Sequence, residues 1–371
     1  MNVLHIYKDY YPVLGGIENH IRMLATGQAR RGLNVTVLVT HPGAGSDDRT
    51  VEGVRLIRAK RWATVNSAPL SLDLFRQVAR LPADVTHLHF PYPIGEVAHL
   101  LCGRSRRMVI TYHSDIIRQR NLLRLYRPLL WQVLRRADRI LATSPQYIHS
   151  SPYLSRMVDK CEVVPLGVPL STFAGADPAQ VAALRAPYPD PVLLFVGKLR
   201  YYKGLNYLMD ALGQVPATLW VVGSGPMETE WRRYAAALPW AGRIVFCGEV
   251  PDALLPAYYR ACDVFVLPAS ERSEAFGAVQ IEAMAAGRPV VCTELDTGTS
   301  YVNQNERTGL VVPPRDPAAL ATALNRLLGD SALRQRLGEA GLARAEAEFS
   351  EETLVQRVIT IYQTILRYHP G

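Results

Sequence analysis

The stretch that decides the fold is an apolar, alanine-rich segment that carries two glutamates. It reads Ser273-Glu274-Ala275-Phe276-Gly277-Ala278-Val279-Gln280-Ile281-Glu282-Ala283-Met284. This pattern predicts a buried helix beginning near Ala275, with Glu274 in the preceding loop and Glu282 about two turns into the helix. Glutamates are seldom buried without a partner, so both are expected to border one polar cleft that takes hydroxyl and phosphate groups. Two ordinary exposed or capping glutamates are the alternative interpretation.

Around this stretch, short apolar segments alternate with helical periods, which is typical of parallel sheets with crossover helices. The predicted strands are residues 3–7, 34–39, 54–58, 85–90, 108–112, 139–142 and 162–165, then 192–196, 218–222, 243–247, 264–267, 289–292 and 310–312. A segment rich in Pro, Gly and Ala separates the two series. We therefore predict an α/β protein with two Rossmann-like, doubly wound domains facing a central cleft. The expected boundaries are 1–168 for the N-terminal domain, 169–190 for a linker and 191–350 for the C-terminal domain, with a helix at 351–371 packing back on the first domain.

Composition describes a globular protein of 371 residues with 49% hydrophobic residues and a mean hydropathy of +0.02. No apolar run reaches the roughly 18 residues of a membrane-spanning helix, and the first residues lack a secretory leader. The five cysteines are scattered singly, without the spacing of a zinc site or a disulfide framework. We therefore expect a cytoplasmic protein with reduced cysteines.

Positive charge is concentrated in the first half of the chain. Residues 1–170 contain 23 Lys+Arg against 12 Asp+Glu, a net charge of +11, whereas residues 171–371 contain 18 against 21, a net charge of −3. Ten arginines lie between Arg104 and Arg139, interleaved with leucines, Tyr126 and Trp131. This pattern favours either a basic amphipathic helix on an anionic membrane surface or a core helix with a solvated arginine face. No nucleic-acid-binding module is recognisable, so that function is disfavoured.

Residues directly after predicted strands are candidates for ligand binding, because open parallel sheets bind ligands beyond the carboxyl ends of their strands. Gly15 and Gly16 follow the first strand without completing a dinucleotide-binding fingerprint. His113 directly follows strand 108–112. In the second domain Lys198, Arg200 and Lys203 follow the first strand, where they could neutralise a departing diphosphate. His87, His89 and Asp115 are supporting candidates near the same edges.

Seven motifs occur in an order that resembles family 4 glycosyltransferases of the GT-B fold, over residues 2–358. They are the two glutamate motifs at 274–277 and 282–290, Gly-Gly-Ile-Glu at 15–18, Lys-Gly at 203–204, Gly-Ser-Gly-Pro at 223–226, and the segments 262–268 and 308–312. The resemblance implies a retaining, metal-independent hexosyltransferase. Such an enzyme takes a sugar from a nucleoside diphosphate donor, here GDP- or UDP-linked, and passes it to an acceptor hydroxyl.

The resemblance also implies roles for individual residues. Glu274 would bind the donor sugar's hydroxyls, Glu282 the ribose hydroxyls and Lys203 the diphosphate, while His113 would touch the sugar near the reacting carbon. The amide groups of Ala275, Phe276 and Gly277 would face sugar and phosphate, Gly15 and Gly16 would leave room for the diphosphate, and Val250 would line the base site. The family usually has Arg at the position of Lys198. A lysine keeps the positive charge but lacks the two-pronged guanidinium of arginine, and Arg200 is a candidate to compensate for that loss.

The sequence offers no metal ligands of the usual transferase type, since no Asp-x-Asp occurs. We therefore expect neither a metal nor another cofactor. The basic first half suggests a lipid-linked saccharide as acceptor, in the synthesis of a surface polysaccharide, with peripheral binding to the inner face of the cell membrane. The alternatives that remain are a sugar-nucleotide epimerase, a phosphorylase on the same fold and a basic nucleic-acid-binding protein.

Overall fold

The computed structural model of the protein describes residues 1–13, 15–43, 45–65, 68–116 and 120–367. The chain divides into two compact units. Unit 1 comprises Met1–Leu166 together with Glu351–Gly371, and unit 2 comprises Gly167–Ser350. Both units are α/β, which confirms the predicted class of two Rossmann-like domains.

Unit 1 is built on an eight-stranded sheet with the order β10-β9-β8-β7-β1-β2-β4-β3, and a separate hairpin pairs β5 with β6. The strands are β1 (Asn2–Ile6), β2 (Asn34–Thr40), β3 (Asp47–Val51), β4 (Val54–Ala59), β5 (Ala63–Val65), β6 (Ala68–Leu70), β7 (Val85–Phe90), β8 (Arg107–Tyr112), β9 (Arg139–Ala142) and β10 (Cys161–Val163). All pairs in the large sheet are parallel except β3 with β4. Its helices are α1 (Gly16–Arg30), α2 (Leu72–Arg80), α3 (Pro93–Cys102), α4 (Arg120–Arg136) and α5 (Pro145–Ser150).

Unit 2 has a wholly parallel six-stranded sheet with the order β13-β12-β11-β14-β15-β16. The strands are β11 (Val192–Val196), β12 (Thr218–Val222), β13 (Ile244–Gly248), β14 (Val264–Leu267), β15 (Val290–Thr293) and β16 (Gly309–Val312). The helices are α6 (Leu170–Ala174), α7 (Pro178–Arg185), α8 (Leu205–Ala211), α9 (Glu228–Ala236), α10 (Leu255–Ala261), α11 (Val279–Ala285), α12 (Thr299–Val302), α13 (Pro317–Gly329) and α14 (Ser331–Glu348). Strands β11, β12 and β14 are fully buried and apolar because helices cover both faces of the sheet.

The last helix, α15 (Glu351–Arg367), belongs to unit 1 although it follows unit 2 in the chain. It packs against α1, where Val355 lies over Gly27. A side chain at position 27 would place its Cβ 2.5 Å from Val355 Cγ2. The absence of a side chain there lets the two helices approach closely, and Tyr362 thereby reaches the buried interior of unit 1.

The thirteen predicted strands are all present, with ends that differ by no more than two residues. Three short strands, β3, β5 and β6, were not predicted. Strand β3 reads Asp-Asp-Arg-Thr-Val and is mostly exposed, so it lacks the apolar signal of a core strand. The segment predicted as a linker contains α6 and α7, which pack on α10 of unit 2. None of the described helices combines the length and the apolar character needed to cross a bilayer.

Candidate functional site

The switch point of unit 2 lies between β11 and β14, where the strand order reverses. Ligands of open parallel sheets bind beyond the strand ends at such a point. The loop after β11 carries Lys198 and Lys203, and the loop after β14 carries Glu274. Because the two strands are neighbours, their loops meet at one edge of the sheet. The fold therefore brings together Lys203 and Glu274, which are 71 positions apart in the chain.

Lys203 and Glu274 form a buried ion pair. The distance between Lys203 Nζ and Glu274 Oε2 is 2.5 Å, and each residue keeps only 8% of its surface exposed. Burial lowers the pKa of Lys203, but the charge of Glu274 and neighbouring groups outweighs it, so the net pKa is raised and the amine stays protonated. Oε2 accepts no hydrogen bond of regular geometry from the described residues. Because Oε2 is buried against the lysine amine, it is the other oxygen, Oε1, which has no hydrogen-bond partner among the described residues, that is left for ligand hydroxyls.

Gly204 allows the loop after β11 to pass against the backbone after β14. Its φ is +65°, in the left-handed region, and a Cβ at this position would lie 2.1 Å from the carbonyl oxygen of Pro268. Only glycine satisfies both constraints. Gly204 therefore permits the backbone path that places the amine of the preceding residue, Lys203, beside Glu274.

The helix expected to begin near Ala275 begins instead at Val279, so that prediction was wrong. Gly277 has a φ of +76°, and a Cβ there would lie 2.6 Å from Leu267 Cδ2. This left-handed residue ends the preceding loop before α11 starts. As a consequence Glu282 lies in the first turn of α11 rather than two turns in.

The loop before α11 is held by hydrogen bonds to its carbonyl groups, whereas three of its amide groups are unused among the described residues. The backbone amide of Gly298 donates to the carbonyl of Ala275 at 2.8 Å, and Thr297 Oγ1 donates to the carbonyl of Glu274 at 2.9 Å. The amide groups of residues 275–277 donate no hydrogen bond to the part of the chain that the structure describes. A row of three unused donors therefore adjoins Glu274, which suits an anionic ligand.

Glu282 is held by a tyrosine that the sequence analysis did not identify. Tyr259, on α10, donates its hydroxyl hydrogen to Glu282 Oε2 at 2.6 Å. Burial raises the pKa of Glu282 to about 7, and the Tyr259 hydrogen bond and the charge of Lys203 offset part of that rise. A hydrogen bond to one of its oxygens thus orients the carboxyl group, and at neutral pH the group is close to half ionised.

Small residues follow β12 and β13, the two strands that lie beyond β11 in the sheet of unit 2. Gly223, after β12, has a φ of +120°, and its Cβ would lie 2.2 Å from the carbonyl oxygen of Gly197. Ser224 donates its hydroxyl hydrogen to Glu249, which follows β13, and Val250 is half-buried next to it. Gly223 and Ser224 are small and half-buried, so a flat ring could lie against the backbone here.

Lys198 and Arg200 were predicted at the same edge as Lys203. Both side chains are exposed, and neither forms an ion pair with another described residue. Their charges are available to a ligand, but the structure brings only Lys203 into contact with Glu274.

In unit 1, Gly15 and Gly16 lie at the start of α1. Gly15 immediately precedes the helix, and a Cβ there would lie 2.1 Å from Glu18 Oε2. A Cβ on Gly16 would meet nothing within 4 Å. Open space therefore adjoins Gly16 at the amino end of this 15-residue helix, whereas the Glu18 carboxylate occupies the space beside Gly15.

His113 follows β8 as predicted, and it belongs to a buried histidine cluster defined by His5, His20, His87, His89 and His113. His113 Nε2 lies 3.2 Å from His89 Nδ1, and His89 Nε2 lies 3.0 Å from His5 Nδ1. Burial is the largest cause of the lowered pKa of every ring in the cluster, to about 4 for His5 and about 3 for His20. All five imidazoles are therefore neutral at physiological pH.

Two overlapping sets within this cluster have ring nitrogens within 4.8 Å of one another, His5 with His87 and His89, and His20 with His89 and His113. Imidazole triads of this kind can bind transition metals. Except in His20, these rings already form hydrogen bonds to one another or to neighbouring side chains. A metal ion would have to displace those bonds, so the residues fit a hydrogen-bonded network better than a metal centre.

The sequence did contain a signal for the histidine cluster. His87 and His89 are two residues apart in one strand, so they share a face of the sheet, and His5 is paired with His87 in the adjacent strand.

Asp115 accepts hydrogen bonds from the hydroxyls of Tyr112 and Ser151, both at 2.8 Å, so it stabilises its own loop.

Comparison with known proteins agrees with this architecture. Residues 14–172 match the family described as Glycosyltransferase Family 4, and residues 177–344 match Glycosyl transferases group 1. The chain is 37% identical to O-antigen chain mannosyltransferase C of Escherichia coli, over 99% of both chains. It is 36% identical to D-rhamnosyltransferase WbpZ of Pseudomonas aeruginosa, over 94% of this chain and 92% of that one.

Solved structures support the same fold. Sucrose-phosphate synthase of Thermosynechococcus elongatus superposes with a TM-score of 0.79 at 26% identity, covering 98% of both chains. HepE of Anabaena, solved in complex with UDP, has a TM-score of 0.78 at 19% identity, covering 98% of this chain and all of that one.

Two Rossmann-like units and the matches to known transferases define an enzyme that uses a nucleotide sugar. The matches over nearly the whole chain narrow this class. The chain belongs to the family 4 glycosyltransferases of the GT-B fold, and it is a glycosyltransferase.

Proposed function

We propose that the protein is a retaining hexosyltransferase that extends a lipid-linked saccharide during the synthesis of a surface polysaccharide. The observation that carries this proposal is the buried Lys203–Glu274 pair beside the unused amide groups of residues 275–277. It combines a cation and amide donors for a diphosphate with a carboxylate for sugar hydroxyls. The names of the Escherichia coli and Pseudomonas aeruginosa relatives describe mannosyl and D-rhamnosyl transfer, which supports a hexose of this kind.

In the proposed reaction the bond between the sugar's anomeric carbon and the donor phosphate breaks, and a bond to the acceptor oxygen forms on the same face. The acceptor proton passes to the departing phosphate oxygen. Negative charge grows on the leaving diphosphate, where Lys203 and the amide donors stabilise it. Lys198 would add a second positive charge, and Gly15 and Gly16 would leave space for the phosphates.

The remaining donor contacts are assigned by position. Glu282 would accept hydrogen bonds from the ribose hydroxyls, Val250 would line the base and His113 would contact the sugar. No step in this scheme uses a metal ion, so sugar transfer is expected to persist in EDTA.

The nucleotide can be identified by a thermal-shift screen with UDP, GDP, ADP and TDP, followed by transfer assays with the corresponding sugar nucleotides. A ligand at about 100 times its dissociation constant stabilises the protein by about 2.7 kcal/mol, so the correct nucleotide will stand apart. GDP or UDP is expected. Conversion of the sugar nucleotide into its epimer without an acceptor would instead indicate an epimerase, and consumption of inorganic phosphate would indicate a phosphorylase.

The variant Glu274→Gln tests the core of the site. It keeps the shape but loses the charge that pairs with Lys203, so we expect turnover to fall by about a hundredfold or more while nucleoside diphosphate affinity changes little. Glu271→Gln is a matched control, because Glu271 lies in the same loop but pairs with the exposed Arg315. Equal turnover in the two variants would reject the assignment.

A membrane-bound acceptor requires a docking surface, and α4 offers one. Leu125 on α4 is 80% exposed and Leu101 on neighbouring α3 is 70% exposed, beside the exposed Arg124 and Arg127. Apolar side chains flanked by cations suit an anionic lipid surface. The solvated arginine face also fits the alternative interpretation of α4, because Leu130 and Leu134 are buried in the core.

Vesicle flotation separates these interpretations. We expect recovery with anionic but not neutral vesicles at low salt, and weaker recovery for Leu125→Ser. Leu72→Ser is the control, because Leu72 is 59% exposed on α2. Equal recovery with neutral and anionic vesicles would remove the electrostatic argument for membrane binding.

A further inference from the structure

The histidine cluster of unit 1 is connected to α15 by a continuous series of hydrogen bonds. From His113 the series passes through His89 and His5 to Gln28 on α1, where His5 Nε2 lies 2.8 Å from Gln28 Oε1. Gln28 Nε2 donates to the hydroxyl of Tyr362 on α15 at 3.4 Å. Three buried side chains, His89, His5 and Gln28, thus separate Tyr362 from His113, and all of them are fully enclosed.

The series has a direction because each neutral imidazole has one N–H donor and one bare acceptor nitrogen. Gln28 Oε1 can only accept, so His5 must donate from Nε2, which leaves its Nδ1 as an acceptor. His89 must then donate from Nε2 and accept at Nδ1. By the same reasoning His113 donates from Nε2, and its own Nδ1 is left as a bare acceptor.

Tyr362 determines which way the Gln28 amide points. The hydroxyl oxygen of Tyr362 lies 2.5 Å from His87 Nδ1, and His87 Nε2 lies 2.6 Å from Thr111 Oγ1. If the Tyr362 hydroxyl donates its single hydrogen to His87, it can only accept from Gln28. The amide must then turn its NH₂ group to Tyr362 and its oxygen to His5, as the structure has it.

We propose that Gln28 and Tyr362 are positioning residues that hold His113 in the Nε2–H tautomer, so that its Nδ1 accepts a hydrogen bond from a substrate hydroxyl. This inference rests on the proposed contact of His113 with the donor sugar. His113 Nδ1 has no hydrogen-bond partner among the described residues, and it is not one of the fully buried nitrogens of the cluster. A reversed network would place a hydrogen on Nδ1 and remove that acceptor.

His20 does not take part in this series. Its ring lies edge-on to His113 at 5.1 Å between ring centroids, and neither of its ring nitrogens has a partner within the described part of the chain. It fills space beside His113 without contributing a hydrogen that would set the tautomer.

Nitrogen-15 NMR of labelled histidine reads the tautomers directly, without a sugar donor. In the wild-type protein we expect His113, His89 and His5 to be Nε2–H. Gln28→Met removes the acceptor at similar size, so His113 should become a mixture of tautomers and kcat should fall about tenfold, with nucleoside diphosphate affinity unchanged. Gln356→Met, at an exposed position of α15, controls for the substitution itself.

Gln28→Glu provides the rescue. An ionised carboxylate has only acceptor oxygens and cannot be reversed, so above the pKa of this buried carboxyl the variant should retain the Nε2–H tautomer of His113 and most of the turnover. Tyr362→Phe removes the hydroxyl that orients the Gln28 amide. Although Tyr362 lies on a different helix from Gln28, this change should also make His113 a mixture of tautomers. Adding Gln28→Glu to Tyr362→Phe should restore both the tautomer and kcat.

Results of two kinds would overturn the inference, one concerning the tautomer and one concerning the rate. One is an Nδ1–H tautomer of His113 in the wild-type protein, or a tautomer that Gln28→Met and Tyr362→Phe leave unchanged. The other is an altered tautomer with unaltered kcat, which would show that the tautomer does not serve the reaction. Failure of the proposed function is seen separately, as a wild-type protein that transfers no sugar.

Discussion

At the scale of single residues, the hydroxyl of Tyr259 and the carboxyl of Glu282 determine how the site responds to pH. Burial raises the pKa of Glu282 to about 7, so a substantial fraction of the free protein carries a neutral carboxyl at pH 7. In the proposed donor site, the ionised form of Glu282 would be the better acceptor for two ribose hydroxyls. Donor affinity is therefore expected to rise with pH through this range.

We predict that the dissociation constant of the sugar nucleotide is about tenfold higher at pH 6 than at pH 8, because the group passes from mostly protonated to mostly ionised. Isothermal titration with the intact sugar nucleotide measures this, since its diphosphate has no second ionisation nearby. Glu282→Gln should bind weakly with no such pH dependence. A wild-type profile as flat as that of Glu282→Gln would exclude the carboxyl as the titrating group.

Tyr259→Phe removes the hydrogen bond that favours the ionised carboxylate. We predict a further rise in the pKa of Glu282 and a shift of the binding profile to higher pH, with about fivefold weaker binding at pH 7. Tyr258→Phe is the neighbouring control, because Tyr258 packs on Trp220 rather than on Glu282. The assignment fails if both variants shift the profile equally.

At the scale of elements, α11 depends on its contact with α14. Gly338 of α14 lies against the backbone that follows α11, and a Cβ there would be 2.4 Å from the carbonyl oxygen of Gly287. Gly341 faces Met284, with a Cβ distance of 3.2 Å to Met284 Cγ. A helix that carries small residues on this face can seat α11 closely, and α11 carries Glu282.

We predict that Gly338→Ala destabilises the protein by about 1–3 kcal/mol and weakens donor binding, because backbone atoms must move to admit the methyl group. Gly329→Ala is the matched control. Gly329 is the last residue of α13 and its Cβ would meet nothing within 4 Å, so the change should be neutral or stabilising by up to about 1 kcal/mol. Chemical unfolding measures both, and equal effects would mean that the α11–α14 contact is not the cause.

Elements also show what periodicity can and cannot predict. The buried strands were located from the sequence because an apolar run between turn residues is a local signal. Strand β3 and the start of α11 were not, because each depends on distant neighbours. Strand β3 forms because it pairs with β4. Helix α11 begins only at Val279, because Gly277 lies against Leu267 in a left-handed conformation.

At the scale of the whole molecule, unit 1 buries an unusual number of neutral histidines. Those of the cluster and His99, on α3, all have a lowered pKa, with burial as the largest cause. Such a group binds a proton in the unfolded chain below about pH 6.5 but not in the folded unit. Its stabilising contribution is complete above that pH and is lost as the pH falls toward the folded pKa.

Glu96 acts in the opposite direction, because burial raises its pKa to about 7 and unfolding releases its proton near pH 5.5. The six histidines outweigh it, so we predict that unfolding of unit 1 takes up roughly five protons near pH 5.5 and that its stability falls steeply between pH 6.5 and 5. Urea unfolding across this range measures the slope. His20→Phe should reduce the uptake by about one proton, and a stability that is independent of pH would contradict the prediction.

The sequence by itself determined the alternation of strands and helices and the two-domain class, because these depend on local apolar periodicity and on turn chemistry. Its motifs also supplied the candidate residues of the proposed donor site. Only the tertiary structure decided that Lys203 pairs with Glu274, that Tyr259 holds Glu282 and that His113 is linked to Tyr362. These partners lie on different elements, so the strand order and helix packing bring them together. No local pattern encodes such distances, since they arise when the sheet is assembled.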